Sequence, residues 1–408
     1  MRTVRSIRSA LKELPTELEK LYEDILVKLP SSDEGIVRRI LLWLSFSVLP
    51  VTLEELHSAI AIEQGVDQLD EESYLGNAQD ILEMCGSLIN MTEHGQVRLA
   101  HMSVKDYLLS QEIRNGPASA FALDIKDSNR ELAVACFTYL SFQDLQSGPC
   151  QSAEAFAARL TTYPFLRHAS TAWTYYLRGC ESSAQLDENI FAFFSPDTRG
   201  AFMSWVQVLN ADSNFKWDLY SRHATSLYYA ASFGLLHVVK NLIAKGSNVN
   251  EPGSRFGGTP LHGAILRYHI DVAETLLKEG ALPNKADFNG VTPLHTAATC
   301  GHVDSIKLLL KYGASKEIKD MGGETPLVWA IKAGHSAARK LLEGELAVEE
   351  ECMKIGEKQF WIRSHKAYFP NWYDRRSGLE SSIVVAVTVG ENSFVVSDTV
   401  NSSIFRKV

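Results

Sequence analysis

The chain of 408 residues has only six cysteines, Cys85, Cys136, Cys150, Cys180, Cys300 and Cys352, and no CxxC pair among them. Structural zinc requires paired ligand spacing, and a chain long enough to bury a core needs no disulfide staples. Reduced thiols in a cytoplasmic setting, alternatively a nuclear one, are therefore expected. Long apolar runs are also missing. The longest, ILLWLSFSVLPV (40–51), is too short to span a bilayer and contains Pro50. Excess positive charge is absent too: 40 Lys and Arg stand against 49 Asp and Glu, for a formal charge of −9. That balance argues against general affinity for nucleic acid or anionic membrane. No GxSxG turn occurs, so the chain lacks the strand–turn–helix geometry of a nucleophile elbow. Neither a metal nor a cofactor is expected.

What is present is a soluble composition, 45% hydrophobic and 22% charged, and a repeat. VTPLHTAATCGHVDSIKLLLKYGA (291–314) has relatives in GTPLHGAILRYHIDVAETLLKEGA (258–281), ETPLVWAIKAGHSAARKLLE (324–343) and, more loosely, ATSLYYAASFGLLHVVKNLIAKGS (224–247). The aligned threonines Thr225, Thr259, Thr292 and Thr325 are spaced by 34, 33 and 33 residues. Thr292 suits the cap of a first helix and Pro293 its first position. Ala297 and Ala298 are small where two helices approach, Gly301 permits the turn, and Gly313 ends the second helix in a left-handed cap. The period and the T-P-L-H-x-A core resemble the ankyrin repeat, which implies a stack of helix pairs that binds protein and carries no chemistry of its own.

His262 and His295 hold equivalent places in that repeat, where the last copy has Val328. A shared metal site would not tolerate the valine, so both are framework histidines, as are His269, His302 and His335 at the helix–helix turns. Alignment leaves the concave face and finger tips to vary. These positions are Ser232 and Phe233, then Arg255, Phe256, Leu266 and Arg267, then Phe288, Asn289, Val291, Thr299 and Cys300, and last Met321, Glu324 and Lys332. Aromatic and arginine side chains at exposed positions anchor protein contacts, which makes this set the candidate partner-binding surface. Four repeats form a short stack that needs caps, and the helical segment before Thr225 is the candidate for one end.

Upstream, apolar spacing predicts helices over 13–30, 34–47, from Thr52 and over 72–85. Thr52 with Glu55 reads as a capping box. SLINM (87–91) and QVRLA (96–100), joined by TEHG, read as a hairpin. Helices followed by a two-stranded wing describe a winged-helix domain. RLAHMSVKDYLLS (98–110) then places His101, Ser103 and Asp106 within six positions, which raises a hydrolase reading. Ser103 with Asp106 also fits the [ST]-x-x-[DE] capping pattern, with His101 at the corner, and framework is the preferred role for all three. DNA binding by the winged helix, and hence a transcriptional regulator, is disfavoured. EESYLGNAQDILEMCG has no Lys or Arg, and the wing loop offers only Arg98. The first residues, MRTVRSIRSALKELP, read as the start of an amphipathic helix rather than a transit peptide.

ALKELPTELEKLYEDIL, RRILLWLSFSVLPVTLEELHSAIAI and VRLAHMSVKDYLLS resemble the winged-helix region that follows the NACHT nucleotide-binding module in fungal NACHT–ankyrin proteins. CFTYLSFQDL (136–145) and YPFLRHASTAWTYYLRG (163–179) resemble that family's helical linker. The resemblance covers roughly 1–345 and implies ligand-controlled assembly with ankyrin repeats as the sensor. Nucleotide binding does not carry over, because GxxxxGK[ST] is needed and no Gly-Lys dipeptide occurs. Association with a separate or upstream nucleotide-binding module is the expectation instead.

The tail departs from that family. FWIRSHKAYFPNWYDRRSG (360–378) is aromatic and basic, and Trp361, Trp372, Tyr373, Arg375 and Arg376 read as an atypical end rather than a binding patch. SIVVAVTVGENSFVVSDTV (382–400) reads as strand, turn and strand. The fold expected is mostly α: a winged-helix domain with leading helix (1–113), a helical linker (114–220), four ankyrin repeats with degenerate ends (221–345), and a tail (346–408) with a β-hairpin. The function expected is a non-enzymatic adaptor or sensor that binds protein through the ankyrin face. The alternative is the regulatory C-terminal half of a nucleotide-switched NACHT receptor.

Overall fold

The computed structural model describes residues 18–63, 66–68, 75–179, 184–195, 198–211 and 217–344, and strands Ile383–Val389 and Asn392–Asp398. The first helix, α1, covers 18–27 of the segment expected to be helical. The run EGIVRRILLWLSF forms α2 (Glu34–Phe46), which buries Val37, Ile40, Leu41, Leu42 and Trp43 and stops ahead of Pro50. Thr52 caps α3 (Leu53–Ile60) through the reciprocal capping box with Glu55. The fourth helix is much shorter than its sequence pattern: α4 spans only Asp80–Cys85. Gly76 and Asn77 precede it, and Asn77 accepts from the Gln79 amide in a local turn that competes with helix.

The wing consists of β1 (Val51–Thr52), β2 (Ile89–Met91) and β3 (Gln96–Leu99), in antiparallel order β1-β3-β2. Val51 faces Val97, and Ile89 faces Leu99. Val97 and Leu99 point into the core while Arg98 between them is exposed, the period-two alternation that fixes the register. The chain thus has the expected winged helix, with one extra short strand ahead of α3.

The winged-helix domain ends with α5 (Met102–Leu109) and α6 (Gln111–Asn115), and the linker runs through α7 (Ile125–Leu140), α8 (Ala153–Thr162), α9 (Leu166–Gly179), α10 (Ala184–Phe193) and α11 (Arg199–Asn210). Asp124 caps α7 by accepting from two backbone amides, and these bonds hold its carboxyl below the usual range. The core here is aromatic: Phe137, Trp173, Phe193, Phe194, Phe202 and Trp205 are buried, and each meets another edge to face. Trp43 of the winged helix meets Phe165 of the linker at 5.0 Å, so one apolar cluster runs from α2 into the repeats.

Four helix pairs follow: α12 (Ser226–Ser232) with α13 (Leu236–Ala244), α14 (Pro260–Leu266) with α15 (Ile270–Lys278), α16 (Pro293–Cys300) with α17 (Val303–Lys311), and α18 (Pro326–Lys332) with α19 (Ser336–Glu343). Thr225, Thr259, Thr292 and Thr325 are the N-caps, and proline holds the first helical position in the last three pairs. Residues 1–347 form one compact unit and 348–408 a second. Within the second, β4 (Ile383–Val389) pairs antiparallel with β5 (Asn392–Asp398), as the strand–turn–strand pattern predicts. The basic N-terminal stretch 1–17 and the tail's Trp361, Trp372, Tyr373, Arg375 and Arg376 lie outside the described residues.

Candidate partner-binding surface

Between consecutive helix pairs the chain makes a finger closed by a turn, and an aspartate braces the last two of them. The Asp287 carboxylate accepts from the amides of Asn289 and Val291, and Gly290 adopts the positive φ that closes the turn. Asp320 repeats the arrangement one step on, accepting from the Glu324 amide and the Trp329 indole N–H. The fingers are joined to each other as well. The Phe288 amide donates to the Phe256 carbonyl at 2.9 Å, and the Met321 amide to the Asn289 carbonyl at 2.9 Å.

The successive fingers carry Phe256, Phe288 and Met321, exposed by 37%, 66% and 80%. Arg255 lays its guanidinium over the Phe256 ring at 5.3 Å. Large exposed apolar side chains on a braced backbone are what a protein contact uses as anchors. Asn250 and Asn284 stiffen the far ends of the repeats. Each side chain spans to the next repeat, accepting from Leu282 or Ser315 and donating to Gly280 or Gly313. Sequence reasoning passed over these asparagines and the two aspartates, although Asn250 and Asn284 recur at the repeat period.

The framework histidines are fixed by a definite tautomer. Nδ1 of His262 and of His295 accepts from the amide of its own cap threonine, and Nε2 then donates 3.0 Å to the carbonyl of Val291 or Glu324 in the following finger. Burial pushes both imidazoles below their ordinary value, which suits a neutral bridge. Among the described residues no group of His, Cys, Asp and Glu could hold a metal ion.

Several expected contact residues sit elsewhere. Ser232 and Phe233 are buried rather than displayed. The Phe233 ring lies against Trp173 and Trp205 of the linker and beneath the Arg267 guanidinium, which is 4.4 Å from its centroid. The linker therefore caps the stack, and it uses that end of the concave face to do so. Leu266, Thr299 and Cys300 are half-buried, and burial lifts the Cys300 thiol to about 11, far from a reactive thiolate. Lys332 pairs with Glu324, so these two expected contacts face each other first. Arg255, Phe256, Phe288 and Met321 remain at the surface, and Asn289 and Val291 are half-buried.

The corner at His101 also departs from expectation. The N-cap of α5 is His101, not Ser103, and its Nδ1 accepts from the Ser103 amide. Ser103 Oγ lies 2.7 Å from that Nδ1 and 2.8 Å from the Tyr22 hydroxyl. Ser103 is thus the middle of a bridge from α1 to the corner, and Asp106 is not its cap partner. The reason is register: extended backbone at His101 starts the helix at Met102, two residues before the sequence pattern placed it. Arg98 on the wing donates to Asn90 at 2.9 Å.

Two family models match this chain. Residues 28–124 match the winged helix domain of GPI inositol-deacylase type, the NACHT-associated domain, and 204–287, 227–320 and 281–350 match ankyrin repeats. The chain carries a winged-helix domain and ankyrin repeats. It is 28% identical over 294 residues to "Azaphilone pigments biosynthesis cluster protein L" of Monascus ruber, an alignment covering 66% of this chain and 61% of that protein. It is also 35% identical over 68 residues to a Danio rerio protein named as the palmitoyltransferase ZDHHC13, covering 17% of this chain and 10% of that one. The chain thus spans about three fifths of the first relative's length and a tenth of the second's. No helix among the described residues is long and apolar enough to cross a membrane.

Proposed function

We propose that this protein is a non-enzymatic interaction adaptor or sensor that captures a protein partner on the finger side chains Phe256, Phe288 and Met321. The observation that carries the reading is the fingers themselves: apolar side chains of rising exposure held by finger-to-finger backbone bonds and braced by Asp287. A rigid apolar anchor loses little entropy on binding, which is why such positions dominate interface energetics. The test is the double variant Phe256→Ala with Phe288→Ala, compared with wild type by proximity labelling and quantitative recovery. Partners recovered with wild type should be lost from the variant while helicity stays unchanged. Equal recovery from both proteins sinks the reading.

A second reading has the winged helix docking a nucleotide-binding module, making this chain the regulatory end of a switched receptor. Its support is the winged-helix match, placed ahead of a linker and ankyrin stack. Sequencing the transcript across both ends of this frame tests it: an in-frame GxxxxGK[ST] loop upstream supports the receptor, and a message that begins at Met1 supports the adaptor.

A further inference from the structure

We propose that the cavity between the winged helix and α7 binds a free apolar amino acid, with its carboxylate on Arg39, its ammonium toward Glu63 and its side chain on the wall around Trp43. The site lies away from the fingers, so the proposal goes beyond partner capture and gives the protein a small-molecule ligand. The cavity measures about 270 Å³ and lies where α2, the end of α3 and α7 meet. Pockets for drug-sized ligands hold about 300–1,000 Å³, so the occupant here is smaller. Leu42 and Trp43 of α2, Ala59 of α3, Ile62 just beyond it, and Leu132 and Ala135 of α7 form the apolar wall. Ala59 and Ala135 stop at Cβ, which leaves open a space that longer side chains would fill.

The apolar wall is preformed. Trp43 is buried and held from the linker by Phe165, His168 and Tyr176, whose rings meet it edge to face at 5.0, 5.9 and 6.1 Å. Leu42, Ala59 and Leu132 are buried beside it. Small-molecule sites combine such walls with a few polar groups that fix the ligand's orientation. Here those groups are Arg39, Glu63, Glu131 and Thr138. Glu131 is already neutralised, because Arg38 donates to both its oxygens at 3.1 and 3.2 Å. Arg39 and Glu63 differ from it. Among the described residues neither side chain makes a hydrogen bond or an ion pair, although Arg39 is half-buried. One open cation and one open anion beside an apolar wall match a zwitterion with an apolar side chain, and the planar guanidinium takes its carboxylate bidentately.

Other occupants match this lining less well. An apolar acid without an amine sets a second carboxylate beside Glu63 with nothing to answer it. An apolar amine, or the N-terminal residue of a partner peptide, brings an ammonium but leaves Arg39 without its carboxylate. A phosphate carries more negative charge than Arg39 alone balances, and Glu63 repels it.

The test is isothermal titration calorimetry on the full chain with leucine, isoleucine, methionine and phenylalanine, beside glycine. The amide and the N-acetyl derivative of the tightest binder are titrated as well. At least one of the four apolar amino acids should bind at concentrations up to about 10 mM. Glycine and both derivatives should bind at least about tenfold more weakly, since each lacks one of the three contacts. Arg39→Gln and Glu63→Gln should each lose about tenfold in affinity, and Ala135→Leu, which fills the cavity, should abolish binding. Glu63 is exposed, so its variant should fold, and unchanged helicity checks the other two. No binding by any of the four, equal binding of the amide or of the N-acetyl derivative, or full affinity in any of the three folded variants overturns the proposal. Equal binding of the amide would point instead to a peptide N-terminus. Phe288→Ala should leave the amino acid's affinity unchanged. If no amino acid binds while partner recovery still depends on Phe288, this inference falls and the adaptor reading stands.

Discussion

The Nε2 of His295 lies 3.0 Å from the carbonyl oxygen of Glu324, so the imidazole that caps one repeat also holds the finger of the next. His262 does the same for Val291. A buried side chain with two partners in two repeats transmits register along the stack. His295→Ala should therefore lower the unfolding free energy by about 1–3 kcal/mol, the cost of leaving a buried amide and carbonyl unpaired. Urea unfolding checks this; a loss no larger than that of an exposed substitution would show the bridge to be incidental.

The buried histidines also set a pH dependence. His168 is packed against Phe165 and Trp43, contacts the Tyr176 hydroxyl, and is driven down to about 4 by burial; His269 is at about 4 as well. A base whose proton affinity falls on folding is charged more readily in the unfolded chain. Its contribution is complete above the unfolded value near 6.5 and is lost progressively as pH falls toward about 4. Stability should thus drop between pH 6.5 and 4, and His168→Gln should flatten part of that slope. Urea midpoints measured across the window decide it, and an unaltered slope in the variant contradicts the assignment.

Phe233 belongs to the first repeat and Phe288 to the finger leading into the third, and the two should behave in opposite ways. Phe233 fills the space between Trp173, Trp205 and Arg267, so Phe233→Ala should cost about 3–5 kcal/mol, as large-to-small changes in aromatic cores do. Phe288 is 66% exposed, and Phe288→Ala should stay within about 0.5 kcal/mol of wild type. Thermal unfolding of the two variants side by side is the measurement.

Gly257 supports the finger tips directly. Its φ is +79°, and a Cβ placed there would come within 2.6 Å of the Phe288 ring. Gly257→Ala combines backbone strain with a displaced anchor, and should cost more than about 1 kcal/mol while weakening partner capture. A variant with wild-type stability and wild-type capture would show that the finger tips tolerate rearrangement.

At the His101 corner, Ser103→Ala should cost about 1 kcal/mol by breaking the bridge to Tyr22, and Asp106→Ala should be within about 0.5 kcal/mol of wild type. A serine-reactive probe should label the wild type and Ser103→Ala equally. Labelling confined to the wild type would revive hydrolase chemistry.

The repeat, its threonine caps and its prolines were legible along the chain because each acts within a few residues of itself. Thr292 and Pro293 need only local backbone, and the wing strands need only alternation about Val97 and Leu99. The capping box of Thr52 and Glu55 was legible for the same reason. What sequence could not assign was exposure across elements. Ser232 and Phe233 hold the same repeat positions as Thr299 and Cys300, and only the packing of Trp173 and Trp205 from a distant linker decided that the first pair is covered. Ser103 likewise took its role from Tyr22, on another helix. Local periodicity determined the helices, caps and fingers of this protein; long-range burial decided which of its varied side chains remain at the surface to meet a partner.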